Sequence, residues 1–425
     1  MRRSNLKSGR GTLLKNTAML GLLQVSTYVL ALIAVPYETR VLGPEVYGVL
    51  GVATAIMMYF QLVIDFGFAL SSTEQVSRNR EDVLLLRKVL TTTTLCKGAL
   101  SVLSGAVLFV LCRCIGAWRN NTGVFMLFFV SSAFASMMPD YMYRGLEKMT
   151  AVTVRTVAIR GFFTGAIFIF LKRPEDLYVI PLLNIIGNGI AFFVSYLDLF
   201  RRFDLRLTRV KFGEVWAQLR SSAGFFLSRF ATTAYTALNT LILDFMAVGG
   251  AATGFYTAAD KLITTGRSAL SPVSDSMYPY MARHRDFKLV RKVLLLLMPP
   301  IIAFCVACFI WAEPLCRLLL GEEYGPSGQV LRAMLPVAVL TLPNYILGFP
   351  TLTAMGLSKY ANYSVILASV LHGVNLLILY LTGNISMISL ALLVSLAEAV
   401  VLLFRIIVIV KNRDKMRPKE GETNG

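Results

Sequence analysis

A chain of 425 residues, 56% hydrophobic and 16% charged, with a mean hydropathy of +0.64, is not a soluble globular protein. A spanning helix takes ~20 mostly apolar residues, and segments of that kind tile nearly the whole sequence. A net charge of +18 invites a nucleic-acid reading. The basic residues gather in alternate loops, however, which is the positive-inside pattern of a polytopic membrane protein and argues against nucleic acid.

Met1–Lys15 is basic, and the apolar run behind it is long and lacks a small-residue cleavage site. It therefore reads as a first spanning helix rather than a removed leader. Twelve spans are predicted, at 13–35, 46–70, 89–112, 123–143, 156–172, 178–200, 221–247, 254–280, 290–312, 329–350, 362–382 and 385–410. Both termini then lie in the cytoplasm, where Arg78, Arg80, Arg87, Lys88, Arg283, Arg285, Arg291 and Lys292 also collect. The longest connection, Arg201 to Arg220, is strongly basic and falls at the midpoint. It divides the chain into an N-terminal six-helix lobe (1–205), a cytoplasmic linker (206–220) and a C-terminal six-helix lobe with a basic tail (221–425).

The halves resemble each other. Gly43–Gly48 (GPEVYG) is echoed at Gly249–Gly254 (GGAATG), and Ser77–Glu81 (SRNRE) at Ala282–Asp286 (ARHRD). Arg87-Lys88-Val89-Leu90 returns unchanged as Arg291-Lys292-Val293-Leu294. Leu111-Cys112-Arg113 matches Leu315-Cys316-Arg317, and Gly145–Lys148 (GLEK) matches Gly356–Lys359 (GLSK). Five matches in one order, at offsets near 205–211 residues, indicate duplication. An even number of spans per half preserves orientation, so the lobes are expected to be related by a pseudo-two-fold axis along the membrane normal. A cavity between such lobes is the expected place for substrate.

The seventh and eighth predicted spans carry polar stripes. Arg229, Thr233, Thr236, Thr240 and Asp244 recur at helical spacing on one. Thr257, Lys261, Thr264, Ser268, Ser271 and Asp275 do so on the other. Residues so spaced share a helix face, and charge on that face costs ~2.5–3.5 kcal/mol per residue if turned to lipid. For the Thr and Ser positions, hydrogen bonding between packed helices competes with a cavity role. For Arg229 and Lys261 the expectation is a cavity that handles something anionic. Asn16 and Gln24 give the first span a weaker version of the same stripe, although both could equally bond between helices.

Catalysis finds little support. The chain has two histidines, His284 and His372, and no Gly-rich nucleotide loop with its lysine. No sizeable loop or re-entrant segment with clustered acids suits a polymerase or glycosyltransferase. Six cysteines sit mostly in or at the ends of apolar spans, and the C-x-C at Cys112 and the C-x-x-C at Cys305 lack the second half of a zinc site. Neither a metal nor another cofactor is expected.

Asn16, Arg40–Gly48 (RVLGPEVYG) and Asp65-Phe66-Gly67 resemble the opening of bacterial polysaccharide-lipid flippases, the O-antigen translocases. Glu313–Gly325 followed by Val330–Met334 is similar to their junction between the ninth and tenth helices, and Gly254–Lys261 (GFYTAADK) to the start of their eighth. The resemblance spans the chain. It implies membership of the superfamily that includes lipid II flippases and multidrug and toxin extruders. It also implies transport of an undecaprenyl-diphosphate-linked oligosaccharide to the outer leaflet of the bacterial inner membrane by alternating access, for surface polysaccharide such as O-antigen, capsule or exopolysaccharide. The partners so implied are that lipid-linked oligosaccharide, membrane lipids, and the polysaccharide polymerase and chain-length proteins. The chain departs from lipid II flippases in having no room for their two further helices and in lacking a cationic first helix beyond Lys15.

Moving a diphosphate and a glycan through hydrocarbon requires cations in a wet cleft to offset desolvation, and hydroxyls or amides to exchange hydrogen bonds with sugars. Lys261 lies ~15 Å along its helix from the outer end, near the midplane. Arg229, Lys261 and Arg267 are the expected diphosphate contacts, with Arg160 and Arg332 behind them. Lys97 and Arg405 are expected to snorkel. Asp65, Asp244, Asp260 and Asp275 either pair with these cations, as Asp260 is expected to do beside Lys261, or couple transport to a proton or sodium gradient. The alternative is a cation-coupled extruder of drugs or organic cations, whose cavity should be dominated by carboxylates.

Overall fold

The first interruption in the helical chain falls at Gly43-Pro44. In the computed structural model, α1 runs Arg2–Asp65, and Gly43 within it leaves helical geometry with φ 70° and ψ 169°. Glycine has no Cβ to oppose positive φ, and Pro44, with fixed φ and no N–H to lose, opens the next helical stretch. The structure describes the backbone of residues 2–233, 238–246 and 250–416, without the side chains of 2–28, 31, 149, 151, 227–233, 279, 282, 415 and 416.

One compact unit, Met1–Ala247, contains α1 and nine further helices. These are α2 (Phe68–Arg78), α3 (Val83–Cys114), α4 (Gly116–Arg119), α5 (Thr122–Met137), α6 (Asp140–Gly145), α7 (Met149–Phe170), α8 (Val179–Arg202), α9 (Phe212–Thr233) and α10 (Leu238–Phe245). The second unit, Val248–Gly425, contains α11 (Gly250–Ala269), α12 (Ser271–His284), α13 (Phe287–Ile310), α14 (Ala312–Leu320), α15 (Ser327–Leu347), α16 (Phe349–Ala354), α17 (Ser358–Leu381) and α18 (Met387–Lys411). Grouped across their kinks these supply the twelve expected passages of an all-α integral membrane protein, and the described residues contain no strand.

Among the described residues, nine passages are long and apolar enough to cross a bilayer by composition. The first, seventh and eighth predicted spans are not among them, and the first and seventh fall in large part on side chains outside the described residues. Along α11 the reason is plain: Asp260, Lys261 and Arg267 interrupt it. By contrast α13 reaches a mean hydropathy of 2.8 over its best window and turns most of its side chains outward. Its exposed Leu295, Leu296, Phe304 and Ile310 cost nothing against hydrocarbon tails.

The repeat has a structural basis. Asp82 caps α3 by accepting from the Leu85 N–H at 3.0 Å, and Asp286 caps α13 by accepting from the Lys288 and Leu289 N–H groups, each at 3.1 Å. Each cap satisfies donors that a helix start leaves open. The basic loop and the Arg-Lys-Val-Leu turn are therefore one capped helix start used twice.

In the first unit the linker lies along α3 rather than spanning free space. Arg87 pairs with Asp204, Lys88 with Glu214 at 2.6 Å, and the Thr208 N–H donates to Thr91 Oγ1 at 2.9 Å. Gln218, 7% exposed, donates to Ser72 and Thr93 at 3.0 and 3.4 Å, and Ser71 and Ser222 share a 2.6 Å hydrogen bond. The same docking explains Asp65-Phe66-Gly67. Phe66 and Gly67 take φ of 38° and 80°, ending α1, and Phe66 stacks on Phe226 at 4.6 Å. A Cβ on Gly67 would meet the Phe225 Cβ, the Phe226 N and the Ser222 O at 2.7–2.8 Å.

Candidate substrate-handling site

Each unit holds a buried pair of opposite charges at the level of its spans. In the first unit Lys97, on α3, donates to Asp65 Oδ1 at 3.2 Å and to the Ser136 carbonyl at 2.8 Å, and lies 5.5 Å from the centre of the Tyr141 ring. The lysine side chain is 4% exposed and the aspartate 20%. Lys97 does not snorkel: a carboxylate, a carbonyl and an aromatic face replace the water its ammonium would seek.

In the second unit Arg267, on α11, pairs with Glu398 on α18. The other carboxylate oxygen, Oε2, accepts from Asn344 Nδ2 at 2.8 Å, and that amide also donates to the Glu398 carbonyl at 3.1 Å. Arg405, two turns further along α18, donates to the Asn344 carbonyl and to Ser364 Oγ at 3.0 Å. It too is buried rather than snorkelling, at 7% exposed. Gly348 makes room for it, since a Cβ there would meet the guanidinium at 2.8 Å. These contacts tie α11, α15, α17 and α18 into one polar network in which each charge faces a partner.

The other expected residues are dispersed. Lys261 is exposed, and among the described residues nothing hydrogen-bonds or ion-pairs with its ammonium. The expected Asp260–Lys261 ion pair does not form. Neighbouring positions on a helix point ~100° apart, and the charge acting most on Asp260 is Arg267, two turns away on the same face, ahead of Lys261. Thr264 turns its hydroxyl back to the Asp260 and Lys261 carbonyls. Asp275, on α12, is exposed. Asp244, at the end of α10, accepts from Trp118 Nε1 at 2.8 Å, beside a Trp118–Phe245 edge contact.

Arg160 is exposed on α7. Arg332 lies in the first turns of α15, donates to the Phe309 carbonyl at 3.0 Å and sits over that ring. The side chains of Arg229, Thr233, Asn16 and Gln24, and Thr236 altogether, lie outside the described residues. Sequence reasoning missed Glu398. A lone carboxylate eleven residues into the otherwise apolar α18 was the available signal, because an intramembrane acid is costly without a partner. Trp118 was missed as well, because an aromatic at the end of a span reads as an interface anchor.

A multi-pass helical membrane protein with charge pairs inside its spans has the features of proteins that handle ions or polar solutes within the bilayer. It shares its fold with the lipid II flippase MurJ in an inward closed conformation, at TM-score 0.66 and 15% identity over 93% of this chain and 89% of that one. It also shares it with an inward-facing multidrug resistance MATE transporter of the MOP superfamily, at TM-score 0.65 and 14% identity over 94% and 98%. The chain belongs to the polysaccharide biosynthesis protein family, whose family model matches residues 13–285. It is 25% identical over 370 residues to a protein assigned as an O-antigen transporter in Shigella dysenteriae, covering 84% of this chain and 90% of that one. A protein of the same assignment in Escherichia coli K12 is 22% identical over 372 residues, covering 86% and 89%.

Proposed function

We propose that the protein is a flippase for undecaprenyl-diphosphate-linked oligosaccharide, carrying it from the cytoplasmic to the outer leaflet of the bacterial inner membrane by alternating access. Family membership and the assignments of its relatives support the class. The observation that carries the substrate chemistry is Lys261: an exposed ammonium about eleven residues, hence ~16 Å, into α11, without an ion-pair partner among the described residues. Fixed positive charge at that depth is costly against lipid and suits a wet surface that meets an anion. Arg267 adds a second cation on the same helix, and Arg229 remains a candidate from the sequence. Both termini are taken as cytoplasmic, from the distribution of Lys and Arg.

Asp65 is the favoured group for coupling to a proton or sodium gradient. It is the more exposed member of its pair, so a cation can compete with Lys97 for it. Asp244, Asp260 and Asp275 are weaker candidates, the first because Trp118 already occupies it.

The test is translocation of a fluorescent polyprenyl-diphosphate oligosaccharide in proteoliposomes. The parent should flip it, and Lys261→Ala and Arg229→Ala should flip more slowly despite normal insertion. Transport of organic cations with no movement of any diphosphate glycan would overturn the reading in favour of a drug extruder.

A further inference from the structure

The Arg267–Glu398 pair is unequal in a way that bears on transport. Arg267 is 22% exposed and Glu398 7%. The carboxylate is pinned by the Asn344 amide on its free oxygen and its own carbonyl. Asn344 is pinned in turn by Arg405, and Arg405 by Ser364. The guanidinium, by contrast, ends a flexible side chain on a helix whose next polar group, Lys261, is exposed. One partner is a fixed dock and the other a movable arm. Departure of Arg267 leaves Glu398 the Asn344 amide, with Arg405 two turns along its own helix, and the remaining cost of uncovering the carboxylate is what draws the arginine back.

We propose that Glu398 is the resident counter-ion of a substrate-binding arginine, occupying Arg267 while the site is empty, yielding it to the substrate diphosphate and reclaiming it at release. The inference rests on the flippase reading and deepens it, naming the residue that sets how tightly the lipid is held and how readily it leaves. A ligand must outbid a buried carboxylate already in bidding distance, so the site favours a diphosphate over a singly charged phosphate ester. Too strong a grip would slow turnover, and the internal competitor limits it.

The groups facing Arg267 bound what the competition can involve. Asp260 and Lys261 lie on its own helix, with Asp260 acting on it directly. Glu398 and Arg405 lie on α18. Helix α15 brings the amide of Asn344 and, beside it, Tyr345, while its one charged group, Arg332, is held at Phe309. Helix α12 brings Asp275, which is exposed, and at its far end Arg283 and His284. Among the described residues, the acid that ion-pairs with Arg267 is Glu398.

The experiment measures binding and flipping of a polyprenyl-diphosphate oligosaccharide, beside binding of polyprenyl monophosphate, by full-length protein in lipid vesicles. Glu398→Gln, which keeps shape and hydrogen bonding but removes charge, should tighten diphosphate binding at least fivefold. It should also lower maximal flipping and narrow the preference for diphosphate over monophosphate. The double variant Arg267→Ala/Glu398→Gln should match Arg267→Ala, since Glu398 acts through Arg267. Glu398→Asp, with a shorter reach, should fall between parent and Gln, and serves if the Gln variant does not fold. Unchanged affinity and an unchanged preference for diphosphate over monophosphate in both variants, with the parent flipping normally, would overturn the inference and leave the flippase reading standing. A parent that neither binds nor flips the diphosphate lipid would overturn both.

Discussion

The two units solve the same problem with opposite assignments. Both hold an acid and a base inside their spans. In the first unit the base is the better hidden member, 4% exposed against 20% for Asp65. In the second the acid is, at 7% against 22% for Arg267. A buried charge without its partner is expensive, so the hidden member is the one that cannot do without the pair. The half-exposed member is the one that can exchange its partner for something else. The first unit thus offers an acid to its surroundings and the second a base, the polarity on which the proposed handling of a coupling cation and of an anionic lipid rests.

That inversion makes the largest testable difference. Asp65→Asn strands Lys97 and Arg267→Ala strands Glu398, and each should cost about 3–5 kcal/mol of stability. Lys97→Met and Glu398→Gln leave the more exposed partner, at 20% and 22%, and should cost roughly 1–3 kcal/mol. Thermal unfolding in one detergent would check the order: the acid variant worse in the first unit, the base variant worse in the second. Equal losses for both members of each pair would dissolve the distinction.

Gly67 tests a different part of the first unit, the surface that α9 covers. Gly67→Ala must adopt φ near 80° and push a Cβ to within 2.8 Å of α9 backbone. Strained φ costs of order 1–3 kcal/mol, and the clash adds to it because backbone cannot rotate away. The expected result is a clear drop in melting temperature with weakened docking of α9, read by proteolysis of the 204–220 linker. No comparable strain attends Gly165, around which nothing lies within 4 Å, so Gly165→Ala is the control.

What was legible in the sequence follows from what repeats or alternates there. The twelve passages came from hydropathy, and the duplicated helix starts from the matching SRNRE and ARHRD loops and the repeated Arg-Lys-Val-Leu, although the capping by Asp82 was not read there. Asp65-Phe66-Gly67 was legible as a motif but not as a cause, because its reason is the approach of Ser222 and Phe225, some 155–160 residues later. Lys97 and Arg405 were misread as snorkelling for the same reason: their partners Asp65 and Asn344 sit on other helices. Spacing along one helix reports which side chains share a face. It does not report what stands opposite.

Trp118 gives a smaller effect, at the far end of the first unit. Trp118→Phe keeps the edge contacts with Phe125 and Phe245 but removes the 2.8 Å hydrogen bond to Asp244. A carboxylate that loses one charge-assisted bond should cost about 1.5–3 kcal/mol if nothing replaces it, and less here because Asp244 is only partly buried. Full retention of the melting temperature would mean that the ring alone holds this corner.

The smallest expected effect concerns the linker, and it separates the two copies of the Arg-Lys-Val-Leu turn. In the first copy Lys88 meets Glu214, whose carboxyl is lowered below its ordinary 4.5, chiefly by its hydrogen bond from Lys88 and then by the Lys211 backbone N–H. In the second copy Arg291 and Lys292 are exposed, and no described residue ion-pairs with them. A carboxyl lowered in the folded state contributes stability above its ordinary pKa and loses it as the pH falls through the lowered value. The first copy should therefore add acid sensitivity below pH 4.5, together with salt sensitivity, since the pair is open to solvent. Glu214→Gln should flatten that part of the curve of melting temperature against pH, and Lys292→Gln should leave it alone. An acid limb unchanged by Glu214→Gln would mean that the linker is held by Gln218, Thr208 and the Arg87–Asp204 pair, with Glu214 contributing no more than most exposed ion pairs do.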